Sequence, residues 1–172
     1  MIRWNRISTT NGSGTFSADL FHPSFPTLCA HLVARNVEFL VLGGWAAVAH
    51  GLNRTTLDVD IFVRPTRENV ERLIAALSGV GFGTARELVP DDVLPRAVFI
   101  FKDQIRVDIF IRPWGLTDFD ACWTRRVERE FESNRIPFVG LDDLIRSKET
   151  DRPQDKQDVI ALRKIRDRRT TP

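Results

Sequence analysis

The stretches VDIFVRP (Val59 to Pro65) and VDIFIRP (Val107 to Pro113) are nearly the same seven residues, written twice in one chain. Each alternates strictly between apolar and other residues, the period of an extended strand. In the first, Leu57, Val59, Ile61 and Val63 share one face, and Asp58, Asp60, Phe62 and Arg64 share the other. In the second, Ile105, Val107, Ile109 and Ile111 point one way, and Arg106, Asp108, Phe110 and Arg112 the opposite way. Two strands of the same phase that share one core bring their polar faces together when they lie side by side. Asp58 and Asp60 would then sit roughly 6.5–7 Å apart along one strand, with Asp108 on a neighbour about 4.8 Å away.

The rest of the chain supplies helices for such a sheet. Thr27 to Asn36 has helical spacing in Leu28, His31, Leu32 and Arg35, and it leads into the short buried strand VEFLVL. Gly43-Gly44 ends that strand, and the alanine-rich WAAVAHGL reads as a short helix stopped at Gly51. Thr66 caps an amphipathic helix, RENVERLIAAL, ahead of turns at Gly79 and Gly81. AVFIFKDQIRVDIFIRP reads as two strands joined around Lys102 to Gln104, and a helix occupies part of Thr117 to Trp123. A hairpin from VEREFES to RIPFVG turns at Asn134, and the helices LDDLIRSKE and DKQDVIALRKIRD close the chain. The fold class is therefore α/β (α+β), a mixed β-sheet flanked by helices in a single domain. Its organisation reads as a polar N-terminal extension over 1–26, the domain over 27–162, and a basic C-terminal tail over 163–172.

A chain of 172 residues suffices for one core but is short for two. With 42% hydrophobic and 28% charged residues it falls among soluble globular proteins, and no apolar run is long enough to span a bilayer. The opening MIRWNRISTTNGSG has no apolar block of the kind a secretory signal needs, which gives the expectation of a cytoplasmic protein with no membrane partner. Cys29 and Cys122 stand far apart, outside any CxxC or Cys/His spacing, so neither a disulfide framework nor a zinc site is indicated. Net charge is only +2, yet Arg163 to Arg169 is charged at every position but Ile165. Such an end attracts phosphates, or is simply a solvated helix terminus.

Clustered bare carboxylates repel one another and raise each other's pKa, so the paired heptads favour a partner of concentrated positive charge. Magnesium or manganese suits them, because these hard ions combine carboxylates with substrate phosphates. The Gly43-Gly44 turn from strand to helix adds backbone N–H groups that a phosphate can accept from. The plainer reading keeps the aspartates as solvent-facing strand residues, paired with Arg54, Arg64, Arg106 and Arg112. His50, beside Gly51 at a helix end, reads as a packing or capping residue. Trp45, next to the glycine pair, reads as core or as a surface for stacking a base.

LVLGGWAAVAHGLNRTTLDVDIFV, followed by VDI at Val107 to Ile109, resembles the nucleotidyltransferase superfamily of polymerase-beta type. That pattern is a hydrophobic residue, Gly-Gly or Gly-Ser, a spacer, Asp-x-Asp, and a third acid on a later strand. Here Leu42-Gly43-Gly44, thirteen spacer residues, Asp58-Val59-Asp60 and Asp108 fill it. GGWAxxxHG, RxTxDxD and the later DLIRSKETDRPQDKQDVIAL are most similar to minimal nucleotidyltransferase proteins related to the AbiEii toxins of bacterial toxin-antitoxin systems. The resemblance spans about Val37 to Leu162. It implies a nucleotidyltransferase-type sheet, with Asp58, Asp60 and Asp108 as metal-binding catalytic acids and Asp108 helping to activate an acceptor hydroxyl. It also implies that Gly43 and Gly44 hold an NTP, with Arg54, Thr56, Lys148 and Asp158 near the nucleotide. Trp45 stands where many relatives have serine.

The activity so implied is transfer of an NMP from an NTP to an acceptor hydroxyl, assisted by Mg2+ or Mn2+. The acceptor of a toxin-like enzyme would be RNA, such as a tRNA end, or a protein, and its partner would be an antitoxin. Two alternatives stand beside it: a small-molecule nucleotidyltransferase acting on an aminoglycoside or lincosamide, and a catalytically silent nucleotide-binding module.

Overall fold

A computed structural model of the chain describes residues 24–170 except 104, 117 and 132–133. In chain order the elements are α1 (Phe25–Ala34), β1 (Phe39–Val41), α2 (Gly43–Ala49), β2 (Val59–Val63) and α3 (Arg67–Gly79). A 3-10 turn (Gly83–Glu87) and α4 (Pro90–Val93) lead to β3 (Val98–Lys102), β4 (Arg106–Phe110), α5 (Phe119–Thr124), β5 (Val127–Phe131) and β6 (Asn134–Phe138). The helices α6 (Leu141–Ser147) and α7 (Pro153–Thr170) follow.

All six strands join one mixed sheet in the order β3-β4-β2-β1-β6-β5. The two heptads are neighbours at its centre. β2 and β4 run parallel with Val59 opposite Val107, Asp60 opposite Asp108, Ile61 opposite Ile109 and Phe62 opposite Phe110. β1 pairs antiparallel with β2 and parallel with β6, while β3 and β5 are antiparallel edges. The matched phase of the heptads fixes this register, since a one-residue slip would turn Val59, Ile61 and Val63 out of the core.

Local chemistry starts the helices where the sequence requires. The Ser24 hydroxyl accepts the Thr27 N–H at 3.4 Å with Pro26 in the first turn, and Leu28, Cys29 and Leu32 bury the inner face of α1. Thr66 caps α3 by accepting the Asn69 N–H at 3.3 Å, and Val70, Leu73, Ala76 and Leu77 are buried at helical spacing. The buried Asn69 side chain donates to the carbonyls of Glu38 (2.9 Å) and Arg64 (3.1 Å) and accepts the Glu38 N–H (2.8 Å). It ties α3 to the adjacent ends of β1 and β2, leaving none of those groups unpaired inside the protein.

Several expectations change. The first heptad strand begins at Val59, and Leu57, expected to face the core, is 83% exposed in the loop before it. Phe62, expected on the polar face, is buried edge-on against Phe119 of α5 with ring centroids 5.0 Å apart. Asn134 pairs with Phe131 as the first residue of β6 rather than forming the turn. α3 runs on through Gly79, and α7 continues through the basic stretch to Thr170. At the other end, α1 starts at Phe25, two residues before the expected domain boundary, because that ring is buried and stacks on Trp45 at 4.1 Å. The remainder of the expected N-terminal extension, residues 1–23, lies outside the described residues. Among the described residues no helix is long and apolar enough to cross a membrane.

Candidate active site

Where β1 ends and β2 and β4 begin, the sheet opens into a cleft of about 330 Å³. Asp58, Asp60 and Asp108 all line it, together with Gly43, Gly44, Arg54, Thr56, Arg106 and Lys148. The register explains the carboxylates. Asp60 is the second residue of β2 and Asp108 its direct partner on β4, while Asp58 stands in the exposed bend just before β2.

The three acids are not equivalent. Burial, and then the neighbouring charge of Asp108, push the Asp60 carboxyl up to about 6, with Asp58 adding to the rise and Lys148 and Arg106 opposing it. Asp108, buried, receives a two-pronged bond from Arg106: Nε donates to Oδ1 and Nη2 to Oδ2, both at 2.8 Å. That fork in turn holds the Arg106 guanidinium above its ordinary value. Asp58 and Asp60 have no ion-pair partner among the described residues.

The glycine pair is required by contact. Gly43 has φ +58°, and a Cβ there would run into the Asp60 carboxylate; a Cβ on Gly44 would meet the Thr56 side chain. The start of α2 is thus packed directly against the Asp60 side chain of β2 and the Thr56 side chain of the loop before it. The Leu42 N–H donates to the Asp60 carbonyl at 2.8 Å, which fixes Asp60 against this turn.

On the opposite wall, Lys148 at the end of α6 is buried between two carboxylates of α7, with Nζ 3.2 Å from Asp155 and 2.8 Å from Asp158. Arg54 reaches Asp158 at 2.5 Å, the Thr150 hydroxyl donates to Asp155 at 2.7 Å, and Gln154 donates to Asp158 at 3.2 Å. Asp158, expected beside a nucleotide, does not face the cleft; it stands behind Arg54 and Lys148 and holds both in place. Asp155, three residues earlier, lines the cleft instead.

Sequence reasoning named Arg106 only as a surface partner, and it passed over Trp114, Thr150, Arg152 and Gln154, which also line the cleft. The spacing of Arg106, two residues before Asp108 on the same strand face, was the available signal for their pairing. Trp45 lies outside this cleft, lining a separate apolar cavity with Phe25, Phe131 and Phe138. His50 is buried, its Nε2 2.8 Å from the Val139 carbonyl, and burial lowers its pKa. Both cysteines are free and buried.

Among the described residues, no group of three or more acidic, histidine or cysteine side chains is gathered closely enough to hold an ion unaided. Arg106 occupies both oxygens of Asp108, and Asp58 stands off in the bend. What remains is the partial donor set that magnesium ordinarily uses, one or two carboxylates completed by substrate phosphates and water. The uncompensated charge at Asp60 fits that role.

No protein-family model and no curated protein matches the chain. Among solved structures, it is similar to a candidate nucleotidyltransferase from Thermotoga maritima, at 14% identity over 84% of this chain and 86% of that one, TM-score 0.45. It is also similar to an antigenic nucleotidyltransferase-like protein from Paracoccidioides brasiliensis, at 14% identity over 85% and 76% of the two chains, TM-score 0.49. A third is the lincosamide antibiotic adenylyltransferase LnuA in its lincomycin-bound form, at 16% identity over 78% and 90%, TM-score 0.49.

Proposed function

We propose that the chain is a metal-dependent nucleotidyltransferase that moves an NMP from an NTP to an acceptor hydroxyl. The observation that carries the proposal is the parallel register that sets Asp60 beside Asp108 in a cleft shared with the Gly43-Gly44 turn and Lys148. An isolated Asp-x-Asp is commonly a surface feature. Here one of its acids is half-buried, short of positive charge, and fixed against a glycine turn that lines the same cleft.

Bound magnesium would supply charge to the leaving pyrophosphate and the attacking oxygen. Asp58 and Asp60 would hold it, and Asp108 would join them on release from Arg106. Arg106, Arg54 and Lys148 set positive charge around the triphosphate, with Lys148 and Arg54 kept in position by Asp155 and Asp158. Asp108 would orient the acceptor hydroxyl for in-line attack at the α-phosphorus. No covalent intermediate is needed, and catalysis consists of positioning and charge neutralisation.

The basic residues 163–169 do not line the cleft; Arg163 pairs with Glu149 at 2.6 Å, and Arg169 donates to the His50 carbonyl at 2.8 Å. That separation favours a small-molecule acceptor over RNA, and leaves a toxin-like role as the second reading. The test is to incubate the protein with magnesium and each α-labelled NTP, adding total RNA, cell protein or an aminoglycoside and lincosamide panel, with Asp60→Asn as control. Label passing to one acceptor only when Asp60 is intact is the expected result. Transfer undiminished in folded Asp60→Asn would overturn the assignment.

A further inference from the structure

Within the cleft, one wall is unlike the rest. Its lining is mostly charged or polar, but apart from Leu42 at the glycine turn an apolar stretch runs from Phe110, the last residue of β4, to Pro113 and Trp114 just beyond it, and Trp114 is 69% exposed. Exposed aromatic residues are common and ordinarily need no explanation. This one is held at both ends. Its indole Nε1 donates to the Glu149 carbonyl at 3.0 Å, beside Lys148 and Thr150 on the facing wall. On its other side, Gly115 has φ +71°, and a Cβ there would collide with the Arg146 carbonyl, so the Pro113–Leu116 turn is seated directly on the end of α6. Leu116, the next residue, is buried. The ring is therefore fixed in direction while its face stays open to solvent at the mouth of a charged cleft.

We infer that Trp114 is the stacking platform for the base of the nucleotide, an inference that rests on the cleft being a nucleotide site. The glycine turn, Lys148 and Arg54 provide for phosphates, but none of them offers a flat apolar surface to a heterocycle. Among the described residues, Phe110 and Trp114 are the only aromatic ones in the lining, and Trp114 carries the larger, more exposed face. A pre-positioned indole stacks a base without first losing side-chain freedom, and stacking is tolerant of base identity because every base presents a π-face. The platform thus supplies affinity for nucleosides over plain polyphosphate, with larger purine faces gaining most.

The test compares binding of magnesium tripolyphosphate with that of MgATP, MgGTP, MgCTP and MgUTP to the full chain by calorimetry. Wild type should bind the best nucleotide about tenfold more tightly than tripolyphosphate. Trp114→Ala should erase that ratio while leaving tripolyphosphate affinity unchanged, and Trp114→Phe should retain most of it. Melting curves of the variants check that the turn survives, and Trp114→Leu, which keeps apolar bulk but has no π-face and should also lose the ratio, serves if the alanine one does not fold. An unchanged nucleotide-to-tripolyphosphate ratio in folded Trp114→Ala overturns the stacking role and leaves the phosphate site intact. If wild type binds neither probe, the nucleotide reading of the cleft falls, and the platform with it.

Discussion

Replacing Asp60 by asparagine should make the protein more stable at neutral pH while abolishing its activity. The folded Asp60 carboxyl titrates at about 6 against an ordinary 3.8, so the fold disfavours its ionised form. Each unit of such a shift corresponds to about 1.4 kcal/mol, which sets an upper bound of roughly 3 kcal/mol on the cost of keeping this group charged. The sign follows from the raised folded value. The cost is absent below pH 4, grows between about 4 and 6, and is fully present above 6. Asparagine keeps the shape and removes the charge. The variant should therefore gain about 1–3 kcal/mol at pH 8, roughly 3–10 °C in Tm for a domain of this size, and nothing at pH 4. Magnesium should narrow the gap by stabilising only the wild type, by about 1.4 kcal/mol at tenfold excess over Kd. Thermal melts of both proteins at pH 4, 6 and 8, with and without magnesium, provide the measurement. A variant no more stable than wild type at pH 8 without metal would refute the claim that the cleft holds an uncompensated carboxylate, because an ordinary surface aspartate changes stability by only about 0.5 kcal/mol.

Lys148→Met should cost about 3 kcal/mol in urea unfolding by leaving Asp155 and Asp158 short of a buried counter-charge, and adding Asp155→Asn should recover part of it. Gly43→Ala and Gly51→Ala both force a left-handed backbone, at about 1–2 kcal/mol. Only at Gly43 does the new methyl strike Asp60, whereas Gly51 has open space, so labelling from α-labelled NTP should collapse in the first and persist in the second. Arg106→Met frees both oxygens of Asp108, and Mn2+ affinity without nucleotide, read by electron spin resonance, should rise about fivefold, the worth of one exposed ion pair. Equal Mn2+ affinity in the two proteins would show that Arg106 and the metal do not compete.

The sheet's centre was legible because a period of two is enforced by burial: Val59, Ile61, Val107 and Ile109 each have almost no exposure, and their alternation placed Asp60 and Asp108 on one face. The strand limits were less so. Leu57 continues the alternation, yet β2 has no partner residue for it on β4, and without that pairing the loop turns it out to solvent. Phe62 shares the face of Asp60 but not its surroundings, because α5 covers one end of that face and the cleft opens at the other. Trp114 and the Lys148 cluster depend on how α6 meets β4 and α7. No local pattern encodes those contacts, although the family resemblance already named Lys148 and Asp158 among the residues involved.

The cleft lines four acids, Asp58, Asp60, Asp108 and Asp155, with four bases, Arg54, Arg106, Lys148 and Arg152, so its net charge says little. The distribution of partners says more. Asp155 and the hidden Asp158 are neutralised by a buried lysine, an arrangement too costly to dismantle during a reaction cycle. Asp108, itself buried, is neutralised by Arg106, whose side chain is 42% exposed and can turn away only where another cation takes over the neutralisation. Asp58 and Asp60 have no ion-pair partner at all among the described residues. On the proposed reading, a cation arriving with a polyphosphate would answer each of these conditions together: Asp60 would hold the ion, Arg106 would turn to a phosphate as its new acceptor, and Asp108 would be freed as a further ligand. The repeated heptad therefore does more than build two adjacent strands, since it sets one acid without an ion-pair partner beside one paired with a half-exposed arginine, and under the proposed function that difference would give an incoming metal and nucleotide their place.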